Sequence, residues 1–122
     1  MIRDQARLDE LLARIRRFVR EVAIPNEARV EREDHVGDDL LAAMRGIGSF
    51  GWSIPESYGG SGLTTEELAL AFMELTQCSV AFRVFGAQNA GIGSECIIRD
   101  GTEEQKQRYL PRLASGEILG CL

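Results

Sequence analysis

The stretch GIGSFGWSIPESYGGSGL, residues 46–63, decides how this sequence is interpreted. Its first six residues have the G-x-G-x-x-G spacing with which a dinucleotide-binding turn lets the backbone approach a pyrophosphate. Such a turn follows a strand and opens directly into a helix, whose N-terminal amides bind the phosphate. Here a helical pattern precedes the glycines, and an extended loop containing Pro55 follows them. The stretch therefore predicts a left-handed helix cap and a turn of the chain rather than a nucleotide site.

Helical spacing dominates the sequence before this stretch. Near the N-terminus, apolar residues recur at steps of three and four between charged residues, which predicts an amphipathic helix with one buried stripe. The stripe consists of Leu8, Leu11, Leu12, Ile15, Phe18, Val19 and Val22. Pro25 is expected to kink or restart this helix, because proline has no amide proton. A shorter helix is predicted over DDLLAAMRGIG, with Asp38 and Asp39 at its positive N-terminal end. Its predicted buried face is Leu40, Leu41, Met44 and Ile47.

The sequence after the loop also has helical spacing. Thr64 and Glu67 have capping-box spacing, and the apolar run LALAFMEL that follows predicts a central, buried helix. Ser79 is a candidate cap for the next helix, VAFRVFGAQNAGIG. Glycine is disfavoured in helices, so its repetition there indicates that something approaches the backbone closely, either a neighbouring helix or a ligand.

The last third of the chain predicts two further helices. SECIIRD is a brief helix that ends at Gly101, and a second capping box runs from Thr102 to Gln105. Pro111 is expected to bend the final helix or to start a fresh turn, and Gly116 is a stop signal. The closing GEILGCL loses helical spacing and predicts the start of a strand, for which the sequence contains no partner strand.

Composition excludes several classes of protein. The 122 residues are enough for about one domain, and no apolar run is long enough to cross a bilayer. A net charge of −5 argues against nucleic-acid binding, and no basic recognition helix is visible. The N-terminus does not match a secretory signal, which predicts a cytoplasmic location. His35 is expected in a solvated loop, and no metal site is predicted. Disulfides are not expected, since the cysteines are predicted to be buried small hydrophobes: Cys78, Cys96 and Cys121.

The order of these motifs resembles the N-terminal helical domain of the acyl-CoA dehydrogenase family. The most specific parts are GIGSFGWSIPESYGGSGL, which is similar to the family's I-P-E-x-x-G-G-x-G loop, and GTEEQKQRYLPRLASGEILG, residues 101–120. The resemblance implies an all-α fold, an orthogonal or up-down helical bundle of five to six helices. It implies a helical domain over residues 1–116 and, over residues 117–122, the start of an exit strand toward an absent middle β-domain. A homo-oligomer, a tetramer or dimer, is expected of the full-length form.

The same resemblance implies a function. Family members oxidise acyl-CoA or acyl-carrier thioesters to α,β-enoyl thioesters: a glutamate removes the α-proton, and the β-hydride passes to flavin adenine dinucleotide (FAD). An electron-transferring acceptor is the implied partner. The flavin lies mainly against the other two domains, and Leu122 is the candidate flavin contact here. No catalytic residue is assigned, because the acids sit on solvated helix faces, as in Glu10, Glu31, Glu33 and Glu103. The chain alone is therefore expected to be inactive.

By the same resemblance, residues 79–93 are expected to form part of the wall of an acyl-chain pocket. The candidates are Phe82, Phe85, Gly86, Gln88, Asn89 and Ile92. The two phenylalanines fit a plain core equally well, and the two amides can also cap a helix or hydrogen-bond a neighbouring one. Two alternatives stay open for the whole chain: a free-standing helical interaction module, or a subunit of a split dehydrogenase.

Overall fold

The helical periodicity of the sequence forms seven α-helices in a computed structural model, which describes residues 1–121. The helices are α1 (Gln5–Phe18), α2 (Ile24–Glu33), α3 (Asp38–Gly46), α4 (Thr65–Leu75), α5 (Val80–Ala87), α6 (Glu95–Asp100) and α7 (Glu103–Ser115). A π-helical turn joins α1 to α2, and a second one extends α5, so the seven α-helices form six continuous pieces. No strand occurs among them. The all-α prediction is confirmed, and Leu122 lies outside the described residues.

The first π-helical turn explains how the chain accommodates Pro25. The turn spans Val19–Ala23, and Pro25 then lies in the first turn of α2, where a missing amide proton costs little. The side chain of Asn26 donates to the Val22 carbonyl at 2.8 Å. The backbone stays helical from α1 into α2, so the predicted restart at Pro25 is not observed, and the π-helical turn accommodates the proline instead.

The first of two compact units consists of residues 1–47 and 64–84. Helix α1 packs against α4, and the apolar stripe of α1 supplies the core. Ile15 is fully buried, and Phe18 packs edge-to-face against Phe82 with ring centroids 5.9 Å apart. On α3, Leu40, Met44 and Ile47 are buried as predicted, while Leu41 is half-buried. None of the helices in residues 1–121 has the length and apolarity needed to cross a membrane.

The second unit consists of residues 48–63 and 85–121, and its core forms around the glycine-rich loop of residues 48–63. Gly48 adopts a left-handed backbone (φ 75°) just after α3, which confirms the predicted cap and turn. The loop then folds back, since Ser61 N donates to Gly51 O and Leu63 N to Trp52 O, at 2.8 and 2.7 Å. Trp52 is fully buried. The loop is a structural element and not a phosphate cradle.

Helix α4 begins at the predicted capping box. Thr64 Oγ1 accepts from the Glu67 amide, and the Glu67 carboxylate accepts from Thr64 N at 2.9 Å. The prediction that α4 is the central helix is wrong. Its buried residues Glu67, Ala71 and Leu75 share one face, whereas Met73 is 64% exposed. Leu70 and Met73 of α4 line an open groove instead of a second core.

Glu67 gives this helix start a predictable pH dependence. Backbone amides of Arg3 and Thr64 donate to its carboxylate, which lowers the pKa of Glu67 below its usual value. A lowered folded-state pKa stabilises the protein above the unfolded pKa of about 4.3, and this stabilisation is lost as pH falls through the folded pKa. We expect Glu67→Gln to remove that part of the pH dependence in urea unfolding between about pH 7 and about pH 2.

The control for this experiment is Glu66→Gln, because Glu66 is an exposed carboxylate on the same turn. The profile of Glu66→Gln should follow that of the natural chain throughout. Identical acid profiles for Glu67→Gln and the natural chain would contradict the assignment.

The C-terminal part follows its local signals but forms no strand. Thr102 and Gln105 make the second capping box, and α7 ends at Gly116 with a left-handed φ of 74°. The helix is continuous through Pro111, so the alternative of a fresh turn is wrong. The strand predicted in GEILGCL is absent from residues 117–121, because no described strand is available to pair with it.

The cysteine prediction is largely wrong. All three thiols are free, but only Cys78 is partly buried, while Cys96 and Cys121 are exposed. On α6 the next two residues, Ile97 and Ile98, pack against the core, which leaves Cys96 on the outer face. Burial raises the pKa of Cys78 to about 11. His35 is exposed between α2 and α3, as predicted.

Candidate functional site

The predicted wall residues lie on α5 and on the π-helical turn Gln88–Ile92 that extends it. In this turn the backbone hydrogen bond spans five residues, from Gly93 N to Gln88 O at 2.6 Å. A π-helical turn contains one residue more than an α-turn and is often found at functional sites. Apolar periodicity gives no signal for it, so the sequence did not predict it.

Asn89 is the most completely bonded residue of the turn. Its side chain is fully buried, and Nδ2 donates to the carbonyls of Leu113 and Ile118 at 2.9 and 2.8 Å. Its Oδ1 accepts from Gly120 N at 2.9 Å. Of the alternatives open for this amide, hydrogen bonding to a neighbouring helix is therefore observed, in addition to bonds with the C-terminal segment. A direct role for Asn89 in a pocket stays a prediction.

The glycines of this stretch have different surroundings. A side chain at Gly93 would place its Cβ 2.8 Å from the Gly120 Cα, so two backbones meet there. A Cβ at Gly91 would meet nothing within 4 Å. The C-terminal segment therefore approaches the helix backbone at Gly93, and not a neighbouring helix or a ligand as predicted. Gly91 faces open space.

The other wall candidates differ in exposure. Phe82 is fully buried in the first unit against Phe18, as expected of a core residue. Phe85 and Gln88 are half-buried, Gly86 is buried and Ile92 is 56% exposed, all in the second unit. The Gln88 carboxamide has no hydrogen-bond partner among the residues that the structure describes. The turn therefore presents an apolar surface with one amide that has no protein partner.

The acidic residues are exposed or half-buried, with the exception of Glu67. Glu10, Glu31, Glu33 and Glu103 are exposed, as predicted. Hydrogen bonds from Gln107 and Tyr58 lower the pKa of Glu103. Glu67 is the one buried carboxylate in the described part of the chain, and its oxygens are bound by the amides that start α4. The pKa of Glu67 is lowered as well, whereas a general base works best with a pKa near the operating pH.

The first unit has an open apolar groove between α1 and α4. The groove has a volume of about 550 Å³. It is lined by Leu12, Arg16, Val19, Arg20, Ile24, Leu70, Met73, Glu74 and Gln77. Arg16 and Glu74 form an ion pair at its edge. The sequence did not predict the groove, although Leu70 and Met73 of LALAFMEL, which lie outside the buried face, were a signal for it.

Comparison with known proteins identifies the fold. The family model described as "Acyl-CoA dehydrogenase, N-terminal domain" matches residues 5–117. An acyl-CoA dehydrogenase of Bacillus subtilis is 35% identical over 107 residues, which cover 88% of this chain and 28% of the relative. A glutaryl-coenzyme A dehydrogenase in complex with glutaryl-CoA has a TM-score of 0.83 at 29% identity, covering 98% of this chain and 31% of that one. An acyl-CoA dehydrogenase of Bacillus anthracis complexed with FAD has a TM-score of 0.81 at 30% identity, covering 97% and 20%.

Fold and matches together define an all-helical N-terminal domain. The chain belongs to the acyl-CoA dehydrogenase family, and the resemblance found in the sequence is confirmed. It spans at most about a third of the length of these relatives.

Proposed function

We propose that this chain acts as the N-terminal domain of an FAD-dependent acyl-CoA dehydrogenase and supplies part of the wall that holds the acyl chain. The relatives named above are acyl-CoA dehydrogenases, one in complex with an acyl-CoA and one with FAD. The proposed substrate is an acyl-CoA or acyl-carrier thioester, oxidised to the α,β-enoyl thioester. An electron-transferring acceptor and a homo-oligomeric full-length form belong to the same proposal.

The exposure of the π-helical turn is the observation that carries the proposed wall. Ile92 is a large apolar side chain exposed on a turn whose Gly91 faces open space. Together with Phe85, Gly86 and Gln88 it forms the surface that we name the acyl wall. An aliphatic chain bound there removes apolar area from water at about 25 cal/mol per Å². Asn89, predicted for the same wall, is assigned a supporting role behind it, and Phe82 stays a prediction.

The described residues do not fit FAD by themselves. Its pyrophosphate needs free amides at a glycine turn or a helix start. The turn at residues 46–51 continues into a loop in which the amides of Gly51, Ser61 and Gly62 already donate to carbonyls of the same segment. The starts of α4 and α7 are capped by Thr64 and Thr102. We therefore derive no flavin step from these residues and propose that FAD binds with the rest of the full-length protein, near Leu122.

A chimeric enzyme tests the wall. Residues 1–122 replace the matching segment of the Bacillus subtilis acyl-CoA dehydrogenase, and kcat/KM is measured for butyryl-CoA and palmitoyl-CoA. We expect Ile92→Trp to lower kcat/KM for palmitoyl-CoA about tenfold more than for butyryl-CoA, because the larger ring fills the space of the distal chain. The matched control is Glu104→Trp, which places the same ring on an exposed position of α7. Equal effects of the two variants on both substrates would refute the wall.

A further inference from the structure

One buried amide connects three parts of the second unit. The side chain of Asn89 bonds at once to the end of α7, through the Leu113 carbonyl, and to the C-terminal segment, through Ile118 O and Gly120 N. All three distances are between 2.8 and 2.9 Å. A buried carboxamide that uses both its donors and its acceptor fixes its own backbone firmly, because any shift leaves polar groups without partners.

The backbone of Asn89 belongs to the π-helical turn, and that turn determines where Ile92 points. If the turn changed to α-helical register, the extra residue would be absorbed and the following residues would rotate by about 100°. Ile92 would then take the position now held by Gly93. That position faces the Gly120 backbone, where a Cβ lies only 2.8 Å from the Gly120 Cα. The π register thus keeps Ile92 outward and places a glycine where the two backbones meet.

We propose that Asn89 is a positioning residue that selects the π-helical register and thereby holds Ile92 in the acyl wall. The functional part of this inference rests on the proposed function. The register itself is a property of the chain and can be measured without activity. A failure of the chimera therefore leaves the register result intact, and a failure of the register result leaves the chimera intact.

Thiol labelling of the full chain tests the register. Serine replaces the three native cysteines, Ile92→Cys introduces one thiol, and the rate of maleimide labelling is measured in native buffer. In the chain that keeps Asn89, the outward position makes the thiol at position 92 accessible to maleimide. We expect Asn89→Leu to slow its labelling by about tenfold or more, because thiol reactivity follows exposure. The variant removes the bond from Gly120 N, which frees the C-terminal segment to shift, and the α register then turns position 92 against that segment.

Two controls separate register from stability. Gln88→Leu removes the neighbouring carboxamide, which bonds to no group within residues 1–121, and should leave the labelling rate within about twofold. Leu110→Ala opens a cavity at a fully buried position of α7 and destabilises the unit while it keeps the three hydrogen-bond partners of Asn89. Its labelling should stay equal or rise, since loss of stability exposes thiols. If Asn89 only stabilised the unit, Asn89→Leu would also label at an unchanged or faster rate. Such a rate in that variant therefore overturns the proposal.

A second variant covers the case in which Asn89→Leu does not fold. Asn89→Ser leaves room for water to hydrate the freed carbonyls of Leu113 and Ile118. It removes the same direct bonds, so we expect the same slower labelling at position 92. Unchanged or faster labelling in a folded Asn89→Ser chain overturns the proposal equally.

Discussion

Replacing Gly60 by alanine is expected to destabilise the protein by about 3 kcal/mol, a loss large enough to unfold a marginal domain. A Cβ at this position would overlap the Ile54 carbonyl oxygen and lie 2.6 Å from the Gly51 carbonyl oxygen. Both atoms belong to the backbone of a buried loop, so neither can move away as a flexible side chain would. The free energy of unfolding in urea measures the effect.

Gly46→Ala is the matched control, from the same glycine-rich stretch. A Cβ at Gly46 meets nothing within 4 Å, and the residue ends α3 without a positive φ. Alanine is favoured over glycine in a helix by about 0.5–1 kcal/mol, so this variant should be as stable as the natural chain or more so. If the two variants have the same stability, the close approach at Gly60 does not exist.

The second large effect concerns catalysis. We expect the isolated chain to show no oxidation of acyl-CoA with an artificial electron acceptor, under conditions in which the Bacillus subtilis relative turns over. Abstraction of the α-proton requires a carboxylate whose pKa is tuned for that task and a donor for the developing oxyanion. The exposed acids of this chain are solvated, and the buried carboxylate of Glu67 is bound by backbone amides, so neither is placed to abstract a proton from a substrate.

The control for this assay is the chain with added FAD. Since the described residues do not fit the cofactor, added FAD should neither bind measurably nor produce turnover. Flavin fluorescence and dye reduction are the two readouts. Turnover by the folded chain would contradict the account of its acids.

Local signals in the sequence predicted much of the fold because their physical cause lies within a few residues. Both capping boxes form, since a threonine oxygen and the side chain three residues later can reach the first free amides without help from the rest of the chain. Gly48 and Gly116 adopt left-handed conformations for the same local reason.

The errors concern features that depend on distant parts of the chain. The apolar run of α4 does not reveal that Met73 faces a groove, and the spacing of Cys96 does not reveal which face of α6 is buried. The strand expected in GEILGCL needs a partner that the described residues lack. Such outcomes are set by packing and pairing, which override local preference.

The candidate site was predictable only in part. The resemblance indicated the helix on which the wall candidates lie, and the glycines indicated a close backbone approach. Neither the π-helical turn nor the bonds of Asn89 follow from the pattern, because both depend on a segment some 30 residues further along the chain.

The most direct test of the central claim, that this chain is a dehydrogenase domain whose chemistry lies elsewhere in the full-length protein, is turnover by the unmodified chimera. With residues 1–122 in place of the matching segment of the Bacillus subtilis enzyme, the account predicts a protein that binds FAD and oxidises acyl-CoA. A chimera that folds and binds FAD but oxidises no acyl-CoA of any chain length would contradict it.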